Sequence, residues 1–78
     1  MDCYIGMIMY FAGNYQIENF LPCDGRALRC QEYQALFAVI GTLYGGDYSK
    51  GVFNIPKMEK VGGVMPMICV TGVFPSHY

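Results

Sequence analysis

The chain has no tryptophan, one histidine, and charged residues at only 14% of its 78 positions, against about 25% in ordinary soluble domains. Its five cations, Arg26, Arg29, Lys50, Lys57 and Lys60, are scattered, and the formal net charge is -1. That excludes the strong basic field on which phosphate-backbone binding depends, so nucleic acid is not an expected partner. Long apolar runs are lacking as well. Gly or Pro interrupts every run well short of the roughly 20 residues of a spanning helix, and membrane insertion is not expected. The opening Met1-Asp2-Cys3-Tyr4-Ile5-Gly6-Met7-Ile8-Met9-Tyr10 places an acid where the positive region of a signal peptide belongs, so no signal peptide is expected.

Catalytic pairings are also missing. The histidine is His77, beside the end of the chain, and the acids Asp2, Glu18, Asp24, Glu32, Asp47 and Glu59 show no recognisable pairing. No nucleophile and base, metal site or cofactor is therefore expected. Cys3, Cys23, Cys30 and Cys69 could form two disulfides by count, but no pair has C-x-x-C spacing and nothing suggests secretion. Free buried thiols are the expectation. Cys30, placed to open a helix, is the one thiol positioned for a lowered pKa, and a buried or capping role is the plainer reading.

What the chain does have is apolar mass. Hydrophobic residues make up 54%, more than a small domain can hide, since chains this short bury only roughly 60% of their unfolded surface. Residues 1–78 are expected to form one domain, with part of the apolar surface covered by other copies in a homo-oligomer.

The local patterns give an α+β reading, a β-rich domain with one amphipathic helix. Tyr4 to Ala12 is a continuous apolar run and predicts a first strand buried on both faces, with Gly6 marking a bulge or a close approach of backbones. Asp24-Gly25, between Phe20-Leu21-Pro22 and Ala27-Leu28, predicts a hairpin, with Pro22 confining its strand to an edge or a bulge. Tyr33, Leu36, Phe37 and Ile40 fall at helical spacing and predict a helix from about Gln31 to Ile40. Glu32 suits its first turn, Gly41 a left-handed C-terminal cap, and its N-cap is poor. Gly45 to Gly51 reads as a glycine-rich turn rather than a phosphate loop, because Val52-Phe53-Asn54-Ile55-Pro56 continues as a strand. After a solvated connector, Lys57 to Lys60, the run Val61-Gly62-Gly63-Val64 reads as a turn, and Met65 to Phe74 as a last strand.

These residues together resemble the phage tail-collar domain family. The matching segments are Tyr4-Ile5-Gly6, Phe11-Ala12-Gly13-Asn14, Cys23-Asp24-Gly25, Gln34-Ala35-Leu36-Phe37, Gly41-Thr42-Leu43-Tyr44-Gly45-Gly46-Asp47, Phe53-Asn54-Ile55-Pro56 and Gly72-Val73-Phe74-Pro75-Ser76. The departures are Ile17-Glu18-Asn19-Phe20 in place of the family's Pro-x-Gly-Trp, and Lys57-Met58-Glu59-Lys60 in place of Asp-Leu-Arg-Gly-Arg. The long variable region that comes next in the family is almost absent, and no shaft or receptor-facing tip is expected. The resemblance implies intertwined chains in a homotrimer, located in a virion tail. Met7, Met9, Met65 and Met67 are candidates for contacts between subunits, with burial in their own chain as the alternative.

Two functions follow as expectations. One is a non-enzymatic, self-assembling tail module. The other is a free-standing phage or prophage protein in the host cytoplasm that sequesters a small anionic ligand or inhibits a host protein. Its pocket would be built from Tyr44, Asp47, Tyr48, Lys50 and Asn54, with Arg26 or Arg29 for the anion.

Overall fold

The computed structural model describes residues 3–75; the first two residues and Ser76, His77 and Tyr78 lie outside the described residues. Six short strands and one helix run in the order β1 (Ile8–Phe11), β2 (Phe20–Pro22), β3 (Ala27–Arg29), α1 (Gln34–Ile40), β4 (Gly46–Asp47), β5 (Val52–Asn54) and β6 (Met65–Cys69). They form two antiparallel sheets, β1-β6-β2 and β3-β5-β4. The last strand is the centre of the first sheet.

Strand β6 pairs Met67 with Met9 on one side and Ile68 with Leu21 on the other. A proline in a central strand normally breaks the ladder. Pro66 escapes because it faces β1 at a non-bonded position, opposite Tyr10. On the β2 side its carbonyl accepts the Cys23 N–H at 3.0 Å. The Cys23 carbonyl, which would face the missing proline N–H, accepts from Met58 N–H at 2.9 Å instead. Between β5 and β6, Val61 and Val64 exchange hydrogen bonds of 3.2 and 2.9 Å across Gly62 and Gly63, whose φ values of 58° and 79° suit a tight hairpin turn. That short turn is what stands in this chain in place of a long variable region, as the sequence leads one to expect.

The core lies between the two sheets and the helix: Ile5, Leu21, Cys23, Leu28, Leu36, Ile40, Phe53, Ile55 and Ile68 form one buried cluster. Phe53 and Leu36 are fully buried. A smaller cluster of Cys3, Phe20, Met67 and Cys69 sits on the opposite face of β6. The helical stripe is confirmed, with Leu36 and Ile40 buried and Tyr33 and Phe37 packed against the cluster.

Several expectations are corrected. The first strand covers only Ile8–Phe11, because Gly6 and Met7 both oppose Cys69: Gly6 N–H donates to the Cys69 carbonyl and Cys69 N–H to the Met7 carbonyl, each at 2.9 Å. This is a β-bulge at Gly6, φ 92°. Nor is that strand buried on both faces, since Met7, Ile8 and Tyr10 are exposed. Phe20–Pro22 and Ala27–Arg29 do not form a hairpin. The Asp24-Gly25 turn instead carries the chain from one sheet to the other, because β2 finds β6 and β3 finds β5 as partners. Pro22 does lie in an edge strand. The helix starts at Gln34, not Gln31, with no side-chain cap on Tyr33, no acid in its first turn, and Cys30 outside it. Gly41 has positive φ, but its ψ of -136° is not that of a left-handed cap.

The thiols differ most from expectation. Cys3 and Cys69 form a disulfide with Cα atoms 6.3 Å apart, and Cys23 and Cys30 remain free. The same region is tied by Ile5 N–H to the Val73 carbonyl (2.9 Å) and Val73 N–H to the Cys3 carbonyl (2.8 Å). Gly72 is required there, because a side chain would collide with the Cys3 carbonyl. The disulfide bridges a sequence separation of 66, and a loop of that length constrains the unfolded chain by roughly 4 kcal/mol on the loop-entropy estimate. Reduction should therefore lower the unfolding free energy by about 4 kcal/mol in urea titrations, and Cys3→Ala/Cys69→Ala should show the same loss without added reductant.

Candidate functional site

The glycine-rich turn folds as it does because β4 runs hard against β5. At Gly46, φ 109°, any Cβ would strike the Phe53 backbone. Asp47 then caps a single 3-10 turn, Tyr48–Lys50, by accepting from Ser49 N–H at 3.0 Å and from the Ser49 hydroxyl at 2.6 Å. Gly51 closes the turn in the left-handed conformation, donating its N–H to the Tyr48 carbonyl at 2.9 Å. The Tyr48 ring stacks on Phe37 with centroids 5.5 Å apart and planes 2° from parallel. The turn is thus braced by Asp47 from within and by Phe37 of the helix from outside.

Of the seven residues proposed from sequence for ligand binding, three come together. Arg29, Tyr48 and Lys50 line one open groove of about 490 Å³ with Phe37, Gln34 and Gly51. Arg29 also lies 3.5 Å from Glu32. The other four are spread out. Arg26 grips the Asp24 carboxylate through contacts of 2.8, 3.0 and 3.2 Å. Asn54 donates from Nδ2 to the Gly25 carbonyl at 2.9 Å, holding the crossover between the sheets. Asp47 serves Ser49, and Tyr44 stands exposed away from the groove.

A second groove, of about 330 Å³, has walls the sequence reading did not single out: Phe11, the turn Gly13–Gln16, Pro22 and Lys60, with Met65 and Met67 beneath. The signal was the alternation of β1 and β6, which sends Met9, Phe11, Met65 and Met67 to one face. Of the four methionines proposed for subunit contacts, Met7 is exposed, Met9 and Met65 are half-buried, and Met67 is buried in its own chain.

Three titrating groups are displaced from their ordinary values, Arg26 upward through its hydrogen bonds to Asp24. Hydrogen bonds from Arg26 hold the Asp24 carboxyl below its usual 3.8, against a smaller opposing effect of burial. Burial pushes the Cys23 thiol from 9.0 up to about 11, with the neighbouring Asp24 charge adding to it. Among the described residues no three His, Cys, Asp or Glu side chains gather as a metal site, and no helix is long and apolar enough to cross a membrane. The arrangement offers a braced turn, a two-cation groove and a large uncharged apolar edge along β1.

The sequence matches the family model of the Phage Tail Collar Domain over residues 6–61. No curated protein and no solved structure matches the chain.

The Cys23 displacement carries a pH signature. The unfolded thiol ionises from about pH 9 and the folded one only near 11, so its contribution is complete below pH 9 and is lost as pH rises toward 11. The unfolding free energy from urea titrations should fall across that window with a slope of at most about 1.4 kcal/mol per pH unit beyond that of Cys23→Ala. Iodoacetamide at neutral pH should label Cys30 well before Cys23.

Proposed function

Because the chain belongs to the phage tail collar domain family, we propose that it is a non-enzymatic structural module of a phage tail whose work is self-assembly. The observation that carries this reading is where the apolar surface lies. Among the described residues, six of the eleven exposed large apolar residues, Tyr4, Met7, Ile8, Tyr10, Val73 and Phe74, are 36% to 58% exposed and lie on β1, next to it at Met7, or at the Tyr4–Val73 pairing and its neighbour Phe74. No charged residue occurs between Cys3 and Ile17. Scattered exposed apolar residues are ordinary, but an uncharged apolar run on a strand edge is a surface that other protein covers.

The alternative, a host-cytoplasmic binder of a small anion, has less behind it. Disulfides are rare in the reducing cytoplasm, and Cys3 and Cys69 are bridged. Of its candidate residues only Arg29, Tyr48 and Lys50 share a groove, and Arg26 is already neutralised by Asp24. Assembly therefore accounts for more of the surface than ligand capture does.

Native mass spectrometry of the purified protein tests this. The expected result is a defined homo-oligomer of the 8.7 kDa chain carrying no retained small molecule. A monomer, or a stoichiometric adduct of small mass, would contradict the assembly reading.

A further inference from the structure

The surroundings of the Cys3–Cys69 bridge suit two oxidation states. The bridge belongs to the smaller cluster, with Phe20 and Met67, and not to the core that joins the two sheets and the helix. Backbone contacts alone bring the two residues together. Val73 N–H donates to the Cys3 carbonyl at 2.8 Å, Ile5 N–H to the Val73 carbonyl at 2.9 Å, and Gly6 N–H to the Cys69 carbonyl at 2.9 Å. The Thr71 carbonyl oxygen stands 3.5 Å from Cys3 Sγ and 3.4 Å from Cys69 Sγ. A bridged sulfur has no hydrogen to offer that oxygen, whereas each thiol of the reduced pair has one. The dithiol therefore finds its acceptor already in place. The pair is also shut away, with Cys3 7% and Cys69 0% exposed. No charged residue occurs from Cys3 to Ile17 or from Val61 to Pro75, so a thiolate, the form that attacks a disulfide, has no cation among its chain neighbours to favour it. Exchange must wait for the segment to open. That opening is local: it breaks the two hydrogen bonds between Cys3, Ile5 and Val73 and leaves the pairings of β6 with β1 and β2 intact.

We propose that Cys3 and Cys69 form a redox latch: the chain folds with both as thiols, and the bridge closes afterwards, on the folded domain, when a small disulfide oxidant such as oxidised glutathione reaches it. The proposal rests on the tail-module reading only for its setting, a protein made in a reducing host cytosol and then carried on a particle in oxidising surroundings, where disulfides persist. Closure takes two exchanges. The Cys3 thiolate attacks one sulfur of oxidised glutathione, forming a mixed disulfide and releasing one glutathione. The Cys69 thiolate then attacks the Cys3 sulfur, forming the bridge and releasing the second glutathione. The two thiols lose two electrons, oxidised glutathione gains them, and both protons leave on the two glutathiones. Cys23 and Cys30 take no part, since both are free in the bridged fold and Cys23 is buried in the main core. Because the bridge spans a sequence separation of 66, closing it raises the folded-to-unfolded ratio about a thousandfold. Oxidation changes how firmly the domain is held, not its shape.

The test uses the wild-type chain, reduced in native buffer with dithiothreitol, freed of it and mixed with oxidised glutathione. Timed iodoacetamide quenches are read by peptide mass mapping. The reduced chain should keep the circular dichroism spectrum of the oxidised one. Cys3 and Cys69 should then bridge in a single product, with Cys23 and Cys30 unpaired, whereas the same reaction above the urea midpoint should give scrambled pairs. Closure should raise the folded-to-unfolded ratio about a thousandfold, and dithiothreitol should reverse the gain. A reduced chain without folded structure would overturn the latch, because the bridge would then be a condition of folding. So would a folded dithiol that stays unbridged while the urea-unfolded chain oxidises, or one that pairs through Cys23 or Cys30. Each of these results leaves the self-assembly reading standing, since that reading is judged by the native mass.

Discussion

The structure depends on the insertion of β6 between β1 and β2. The flanking strands do not pair with each other, so the sheet hydrogen bonds of each run to β6 alone. The same strand supplies Ile68 to the main core and Met67 and Cys69 to the smaller one. Cys69 adds the covalent tie to Cys3. The strand lies beyond residues 6–61, over which the family model matches, so residues downstream of the matched segment complete its sheet.

This arrangement explains why local patterns are legible in the sequence and strand partners are not. The helix is legible because Tyr33, Leu36, Phe37 and Ile40 set one face by spacing alone, and Phe53-Asn54-Ile55-Pro56 because alternation sends Phe53 and Ile55 inward. Gly6 and Pro22 announce a bulge and an edge because each constrains its own backbone. The Asp24-Gly25 hairpin fails for a different reason. Turn chemistry favours reversal between neighbouring segments, but β2 and β3 find longer-range partners in β6 and β5, and the hairpin-like turn in fact lies at Gly62-Gly63. The disulfide is illegible on the same ground, since nothing in spacing brings residues 66 apart together. The predicted ligand site is only partly assembled. Several of its polar residues, Asp47, Asn54 and Arg26 among them, are occupied in holding turns and the crossover.

Function follows from what β6 leaves over. By occupying both inner edges it places β1 and β2 on the outside, and the sequence treats those edges unequally. On β2, a proline and three local hydrogen bonds close the edge. On β1, Ile8 and Tyr10 remain open and uncharged, beside the apolar Tyr4–Val73 pairing. An edge left unprotected in a chain with few charges fits a module that meets its own kind rather than one that captures small molecules.

The most direct test of the keystone role of β6 is residue-resolved amide hydrogen exchange. Met67, Ile68 and Cys69 should be among the slowest amides in the protein, exchanging only with global unfolding and together with Phe53 of the second sheet. Faster exchange of these three while Phe53 stays protected would mean that the first sheet opens independently, and would contradict the dependence of the whole fold on β6.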